Sequence, residues 1–160
     1  MLVKLCYDLC MNKKVSLLFV CVGNTCRSCM AECIVRHLAK IRDMQFVSSA
    51  SAGLAVEPGS FTEISAIEAL NDMGIKMEGN VAKQLTKQMC KEASLIITMS
   101  DSYKVALKGV DNVYTLAELV GGGDVGDPCG SGKQVYTDVA SYLMVKLGEV
   151  LDRIQKGELV

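Results

Sequence analysis

The chain has 160 residues, of which 50% are hydrophobic and 22% are charged, and its formal net charge is −1. This length suits one domain with a buried core, and the apolar content excludes a disordered chain. The near-neutral charge gives no electrostatic reason for a nucleic-acid partner, and no apolar run is long enough to cross a bilayer, so neither a nucleic acid nor a membrane is expected as a partner.

The first fourteen residues differ from the rest of the chain. Residues 1–14 carry Lys4, Asp8, Lys13 and Lys14 around a short apolar patch. They lack the basic start, longer apolar stretch and small-residue cleavage site of a signal peptide. We interpret residues 1–14 as an N-terminal extension of a cytoplasmic protein, followed by a single domain at residues 15–160.

Eight cysteines are spread along the chain. In a chain of this size without a secretory signal, reduced thiols are the expected state. Only Cys26 and Cys29 form a Cys-x2-Cys unit, no second such unit follows, and His37 is the only histidine. The sequence therefore predicts no metal site, and the chemistry inferred below requires no cofactor.

Short apolar runs alternate with stretches of helical periodicity from residue 15 to residue 155. Strands are predicted at residues 15–20, 45–50, 94–99 and 112–116. Helices are predicted at residues 28–41, at 64–73 after a capping box at 60–63, at 86–93, at 101–109 with Asp101 as the cap, and at 134–155. Such alternation predicts an α/β fold with a mostly parallel sheet that is covered by helices on both faces.

The segment 21–28 follows the first predicted strand and reads Cys-Val-Gly-Asn-Thr-Cys-Arg-Ser. In open parallel sheets, ligands bind beyond the carboxyl ends of the strands. Cys21 lies at that end of the first strand. Asp127, in the glycine-rich loop 121–133, lies beyond that end of the last strand, so the order of elements allows the two residues to meet.

The residue types in this segment fit an oxyanion site with its own nucleophile. Gly23 and Asn24 allow a tight turn whose successive amides point inward, and the following helix adds its positive end. Arg27 can bind two phosphoryl oxygens through its planar guanidinium. The same positive field favours a thiolate at Cys21, to which the Ser28 hydroxyl is near enough in sequence to donate.

These residues predict a cysteine-dependent phosphatase with a two-step reaction. Cys21 attacks phosphorus and forms a phosphocysteine while an acid protonates the leaving group, and water then hydrolyses the intermediate. Asp127 is the candidate acid and base, because Pro128 stiffens its loop and the nearby glycines let that loop fold over the site. The catalytic residues are thus predicted to be Cys21, Arg27 and Asp127. The predicted phosphate-binding residues are Val22, Gly23, Asn24, Thr25, Cys26, Arg27 and Ser28.

This loop resembles the signature of the low-molecular-weight protein tyrosine phosphatases. The resemblance covers about residues 15–154 and continues through Met30-Ala31-Glu32, Ser51-Ala52-Gly53, Ile97-Thr98-Met99 and Asp127-Pro128. It implies a flavodoxin-like three-layer sandwich with a four-stranded parallel sheet. It also implies a phosphorylated protein or peptide as substrate, with phosphate, sulfate or vanadate as ions that bind the loop. In this family Cys26 is a neighbour that can form a reversible disulfide with Cys21, which implies a redox-protective role.

Several positions depart from the typical tyrosine phosphatases of this family. Cys129 and Gly130 stand where an aromatic pair usually walls the substrate ring, and Cys29 stands where a proline is typical. Thr25 stands where an isoleucine or another apolar residue is usual, and a threonine there is similar to the bacterial protein arginine phosphatase branch. The sequence leaves phosphotyrosine and phosphoarginine both open as substrates, and Tyr103 is a candidate for supplying a ring from elsewhere.

Three alternative functions use the same loop. Arsenate reductases relay a disulfide through two further cysteines, but residues 98–102 contain none. A thiol–disulfide oxidoreductase built on Cys26 and Cys29 leaves the spacing between Cys21 and Arg27 unexplained. A phosphate-binding module without turnover requires neither a nucleophile nor an acid.

Overall fold

A computed structural model describes residues 13–160, so the predicted extension lies outside the described residues apart from its last two positions. One parallel sheet contains the strands β1 (Val15–Cys21), β2 (Val47–Gly53), β3 (Leu95–Thr98) and β4 (Val113–Thr115). The strand order is β2-β1-β3-β4. The chain therefore reverses its direction of winding between β1 and β3, and this switch point is where open α/β sheets bind ligands.

Helices cover both faces of the sheet. They are α1 (Arg27–Ile41), α2 (Ile64–Asp72), α3 (Lys87–Glu92), α4 (Asp101–Ala106), α5 (Leu116–Val120) and α6 (Lys133–Gln155). Helices α1, α2, α5 and α6 form one layer, and α3 and α4 form the other. The fold is the predicted flavodoxin-like three-layer sandwich. Within residues 13–160, no helix combines the length and the apolar character that a membrane span requires.

Strand β1 is buried on both faces and carries the nucleophile candidate at its end. Leu17, Phe19 and Cys21 belong to the larger apolar cluster, which includes α1 and α6. Leu18 and Val20 alternate with them and belong to the smaller cluster on the opposite face. Burial on both faces explains the continuous apolar run from Leu17 to Val20, the main signal for this strand.

The second strand lies further along the chain than the sequence predicts. Strand β2 begins at Val47 and ends at Gly53, whereas the prediction was residues 45–50. Its last residues pair with β1, with Ala52 opposite Val20 and Gly53 opposite Cys21. Serine, alanine and glycine have weak strand preference, so the pairing with β1 and not the local pattern decides where β2 ends.

The capping box predicted at residues 60–63 is wrong. Helix α2 begins at Ile64, its N-cap is Glu63, and the cap makes no side-chain hydrogen bond. The Thr62 hydroxyl instead donates to the Asn80 carbonyl at 3.1 Å and accepts from the Asn80 N–H at 3.1 Å. This long-range pair holds the segment extended and removes the hydroxyl from the helix end.

A capping box does occur at the start of α5, a helix that the sequence analysis missed. The Thr115 hydroxyl accepts from the Glu118 N–H at 3.0 Å, and the Glu118 carboxylate accepts from the Thr115 N–H at 2.8 Å. Helix α4 also differs from its prediction, since its N-cap is Ser100 in place of Asp101 and it ends at Ala106. Both differences concern short helices, whose periodicity spans too few residues to be clear.

Candidate active site

The segment 21–28 forms the predicted connection between a strand and a helix. Cys21 is the last residue of β1, and α1 begins at Arg27. The Cys21 side chain is buried, and its Sγ lies 2.9 Å from the Ser28 Oγ. Within residues 13–160, no acceptor bonds the backbone N–H groups of residues 22–26. These groups therefore stay available to an anion at the end of β1.

Asn24 is a buried residue of this loop, and its side chain holds the loop through three hydrogen bonds. It is 1% exposed and has a φ of 55°, in the left-handed region that asparagine tolerates better than most residues. Its Nδ2 donates to the Ser28 Oγ at 2.9 Å and to the Ser51 Oγ at 3.0 Å, and its Oδ1 accepts from the Lys83 N–H at 2.8 Å. Because the Ser28 oxygen accepts from Asn24, its own hydrogen stays available for donation to the Cys21 sulfur.

A carboxylate on α1 extends this network behind the loop. The Ser51 hydroxyl donates to the Glu32 Oε2 at 2.5 Å. The Glu32 side chain is 15% exposed and also contacts Arg36 at 2.6 Å and Lys83 at 3.6 Å. The Glu32 carboxylate therefore orients the Ser51 hydroxyl, whose oxygen accepts the hydrogen bond from the Asn24 side-chain amide.

The end of β2 supports the loop through close backbone contact. The N–H groups of Leu54 and Ala55 donate to the carbonyls of Cys21 and Val22 at 2.9 and 3.0 Å. A Cβ at Gly53 would lie 2.4 Å from the Val22 carbonyl oxygen, closer than real Cβ atoms approach. Only glycine fits this position without moving the loop.

Arg27 is held by three groups from other parts of the chain. Its side chain is 7% exposed. Its Nη1 donates to the Val125 carbonyl at 3.1 Å, and its Nη2 donates to the Tyr103 hydroxyl at 2.8 Å. The same Nη2 lies 3.1 Å from the Asp127 Oδ2. The structure therefore brings Asp127 to the phosphate-ligand candidate Arg27, in keeping with the order of elements, which allows Asp127 to approach this segment.

The loop that carries Asp127 is fastened to the end of β3. The Val125 N–H donates to the Met99 carbonyl at 2.9 Å, and the Asp101 N–H donates to the Asp124 Oδ1 at 3.1 Å. The Asp127 Oδ1 accepts from the Cys129 N–H at 3.1 Å, while the carboxylate is 55% exposed. The backbone of this loop is thus anchored, and its acid faces solvent above Arg27.

Cys26 is the buried N-cap residue of α1. Its Sγ lies 3.5 Å from the Tyr136 hydroxyl and 3.6 Å from the Thr25 Oγ1. Burial raises the pKa of the Cys26 thiol, although hydrogen bonds from Tyr136 and Thr25 partly oppose the shift. Cys26 is consequently less ionised than an exposed cysteine at the same pH.

Cys29 packs behind the loop at the position where the family signature has a proline. Its Sγ donates to the Asn24 carbonyl at 2.9 Å. Burial raises the pKa of Cys29 to about 12, and the nearby charge of Cys21 acts in the same direction. Cys29 is therefore a neutral donor that holds the Asn24 backbone. It is one of six cysteines in the described part of the chain, all of which are free thiols.

Several groups that complete this site were not among the residues predicted from the sequence. Tyr103 was proposed only as a source of an aromatic ring, whereas its hydroxyl contacts Arg27. Glu32 and Ser51 stand in family motifs, and these were the signals that could have identified them. The Val125 carbonyl leaves no trace in the sequence, because any residue has one. Among residues 13–160, no group of three or more metal-ligating side chains is close enough together to hold a metal ion.

A thiol at a strand end, a loop whose N–H groups have no acceptor among residues 13–160 and an arginine in contact with an aspartate are typical of an α/β protein that acts on phosphate groups. Residues 16–159 match the family described as low molecular weight phosphotyrosine protein phosphatase. The chain belongs to this family and is a protein phosphatase.

Relatives within the family include enzymes named for two different phosphoresidues. The chain is 33% identical over 147 residues to a protein-arginine-phosphatase of Bacillus subtilis, a match that covers 88% of this chain and 97% of that protein. It is 32% identical over 137 residues to the low molecular weight protein-tyrosine-phosphatase PtpB of Staphylococcus haemolyticus, covering 82% of this chain and 94% of that one.

Solved structures agree with this assignment. The YwlE arginine phosphatase, in a variant whose active-site serine is phosphorylated, superposes with a TM-score of 0.83 at 31% identity, covering 89% of this chain and 97% of that chain. A low molecular weight protein tyrosine phosphatase from T. tengcongensis gives a TM-score of 0.82 at 33% identity, covering 88% of this chain and 99% of that one. The phosphorylated serine in the first supports a phosphoenzyme mechanism, and these matches do not favour arsenate reduction.

Proposed function

We propose that Cys21 is the nucleophile, Arg27 the phosphate ligand and Asp127 the general acid and base of a phosphatase acting on phosphorylated proteins or peptides. The observation that carries this proposal is the 3.1 Å contact between the Arg27 Nη2 and the Asp127 Oδ2. It joins the loop that begins with Cys21 to the only acid of the sequence-predicted site. The proposed anion ligand therefore contacts the proposed proton donor directly, and it stands at the start of the helix that follows the proposed nucleophile.

The first step transfers the phosphoryl group to sulfur. A phosphate monoester binds the amides of residues 22–26 and the Arg27 guanidinium, which offset charge on its equatorial oxygens. The Cys21 thiolate attacks phosphorus, the bond from phosphorus to the leaving atom breaks, and Asp127 gives its proton to that atom. A bound phosphoryl group takes over the Arg27 N–H that now contacts Asp127, which frees the Oδ2 for this role.

The second step regenerates the enzyme. Asp127, now a carboxylate, takes a proton from water, whose oxygen attacks phosphorus as the bond to sulfur breaks. Inorganic phosphate leaves, Asp127 is protonated again, and Cys21 returns as a thiolate. The Ser28 hydroxyl, 2.9 Å from the sulfur, stabilises that charge when it leaves and when it returns.

The proposed substrates are phosphotyrosine and phosphoarginine, whose leaving atoms are oxygen and nitrogen. The polar Thr25 at the loop supports phosphoarginine. The Tyr103 ring supports phosphotyrosine, because its centroid lies 5.4 Å from the Arg27 guanidinium carbon and so places an aromatic surface at the site. We also propose a cytoplasmic location, since a reducing compartment keeps the required thiol free.

Replacing Cys21 by serine tests the nucleophile. The Cys21→Ser variant should no longer hydrolyse p-nitrophenyl phosphate but should still bind vanadate, because the loop amides and Arg27 are unchanged. The matched control is Cys90→Ser, on α3 at the opposite layer, which should keep full activity. Normal hydrolysis by Cys21→Ser would show that another residue is the nucleophile.

Replacing Thr25 by isoleucine tests substrate preference. The Thr25→Ile variant should raise the rate on phosphotyrosine peptides relative to phosphoarginine peptides, because a branched apolar side chain favours an aromatic ring. Both rates should be measured side by side with Cys21→Ser as the blank. An unchanged ratio removes Thr25 as a selectivity element.

A further inference from the structure

Tyr103 contacts Arg27 in two ways from a distant part of the chain. It lies on α4, 76 residues after Arg27 in sequence, and its hydroxyl accepts from the Arg27 Nη2 at 2.8 Å. The guanidinium carbon also lies 5.4 Å from the centroid of the Tyr103 ring, within the range of a cation–π contact. One side chain thereby limits both the direction and the tilt of the guanidinium plane.

The partners of Arg27 divide into fixed neutral groups and one exposed charged group. The Val125 carbonyl is fixed, because the N–H of the same residue is bonded to the end of β3. The Tyr103 hydroxyl is carried by a partly buried ring on a helix. Asp127, in contrast, is 55% exposed and is the partner that a bound phosphoryl group displaces.

This division has an electrostatic consequence. A phenol and a carbonyl accept hydrogen bonds without cancelling the positive charge of a guanidinium, whereas a permanent carboxylate partner would cancel much of it. With two neutral acceptors, the guanidinium is oriented yet keeps its full charge. That charge is then available where negative charge develops during phosphoryl transfer.

We propose that Tyr103 is a positioning residue for this reaction, whose hydroxyl and ring hold the Arg27 guanidinium in the plane that binds the phosphoryl group. The inference rests on the proposed role of Arg27 as phosphate ligand. It assigns Tyr103 a function that depends on its oxygen, in addition to any contact between its ring and the substrate.

The test compares Tyr103→Phe, which keeps the ring and removes the hydroxyl, with the native enzyme. The matched control is Tyr114→Phe on β4, since Tyr114 also has a cation near its ring, with the Lys104 Nζ 5.7 Å from the centroid. The measurements are kcat and KM for p-nitrophenyl phosphate, the inhibition constant of inorganic phosphate and the thermal midpoint. Tyr103→Phe should lower kcat/KM and weaken phosphate inhibition, each by about tenfold, as expected for losing a hydrogen bond to a charged group. The control should change either value by less than about twofold, which is within the usual effect of an exposed substitution.

An Arg27→Lys background separates positioning from general stability. A lysine presents no guanidinium plane for the phenol to orient. Phosphate affinity is measured by calorimetry. Tyr103→Phe should lower it when Arg27 is present and should leave it unchanged when Arg27 is already replaced by lysine. An equal fall in both backgrounds, or no fall in the native one, overturns the inference. If the proposed function itself fails, the native enzyme and Cys21→Ser hydrolyse at the same rate, which is a different result.

Discussion

Replacing Asn24 by alanine is the sharpest test of how the loop is held. The residue is 1% exposed, has a φ of 55°, and makes three side-chain hydrogen bonds, to Ser28, Ser51 and the Lys83 N–H. Alanine removes all three bonds and leaves the Lys83 N–H without this acceptor. It also places a Cβ in the left-handed region without the local polar contacts that favour asparagine there.

The expected loss of stability follows from these terms. Each neutral hydrogen bond contributes about 1 kcal/mol, so the three together contribute about 3 kcal/mol. The left-handed backbone adds about 1 kcal/mol for alanine, which gives a total of about 4 kcal/mol. Asn24→Gly is the matched variant, because it loses the same bonds but accepts the positive φ, and it should lose about 3 kcal/mol. Either loss is a large part of the 5–15 kcal/mol by which a typical protein is stable, as an order of magnitude.

Urea unfolding gives the free energy of unfolding of both variants. Hydrolysis of p-nitrophenyl phosphate, at urea concentrations below the unfolding transition, measures the activity of the folded variants. Both variants should also lose activity, because the Ser28 hydroxyl loses the hydrogen bond from the Asn24 amide that orients it towards Cys21. A loss below about 1 kcal/mol for Asn24→Ala, the value of a single hydrogen bond, would refute this account of the network. Equal stability of the two variants would refute the backbone contribution.

Three further predictions concern glycine packing, pH and oxidation. Gly53→Ala should displace the loop and lower activity by more than about tenfold, as expected of a misplaced catalytic group. Gly132→Ala should keep its activity, because no atom of residues 13–160 beyond its chain neighbours lies within 4 Å of the added Cβ. Equal activities of the two variants would contradict the packing argument. Because the pKa of Cys29 rises from 9.0 to about 12 in the fold, its contribution to stability is present below pH 9 and is lost as pH rises from 9 towards 12. Urea unfolding measures the free energy of unfolding at about pH 8 and at about pH 10. The fall between the two pH values should be smaller by about 1 kcal/mol in Cys29→Ala than in the native protein, and identical falls would exclude Cys29 as the cause. Mild peroxide should yield a disulfide between Cys21 and Cys26 by mass spectrometry, and sulfonic acid at Cys21 as the main product would argue against protection.

The central part of the fold could be predicted because its signals are local. Strand β1 is buried on both faces, so Leu17 to Val20 form a continuous apolar run, and α1 repeats its apolar residues over four turns. The loop between them combines glycine, asparagine and arginine at a spacing that few structures other than an anion site explain. The order of elements allowed Asp127 to meet Cys21, and the structure brings Asp127 into contact with Arg27 of the same segment.

The errors fall where long-range contacts decide the local structure. The hydroxyl of Thr62 looked like part of a helix cap, but it bonds to Asn80, 18 residues away. The end of β2 is fixed by pairing with β1, and its small residues carry no periodicity. The bond from Arg27 to the Tyr103 hydroxyl depends on how α4 is turned against β3, which no pattern within either segment encodes.

The proposed nucleophile and the proposed acid lie in parts of the molecule that differ in how freely their sequence can change. Cys21 ends a strand that is buried on both faces, whereas the Asp127 carboxylate is 55% exposed on a loop that is anchored through Val125 and Asp124. Apart from Val125 and Pro128, residues 121–131 are exposed, so the exposed positions around Asp127 can be exchanged while the thiol keeps its surroundings. New specificities within this lineage can accordingly evolve by changes in the exposed part of this loop, without changes around the buried thiol.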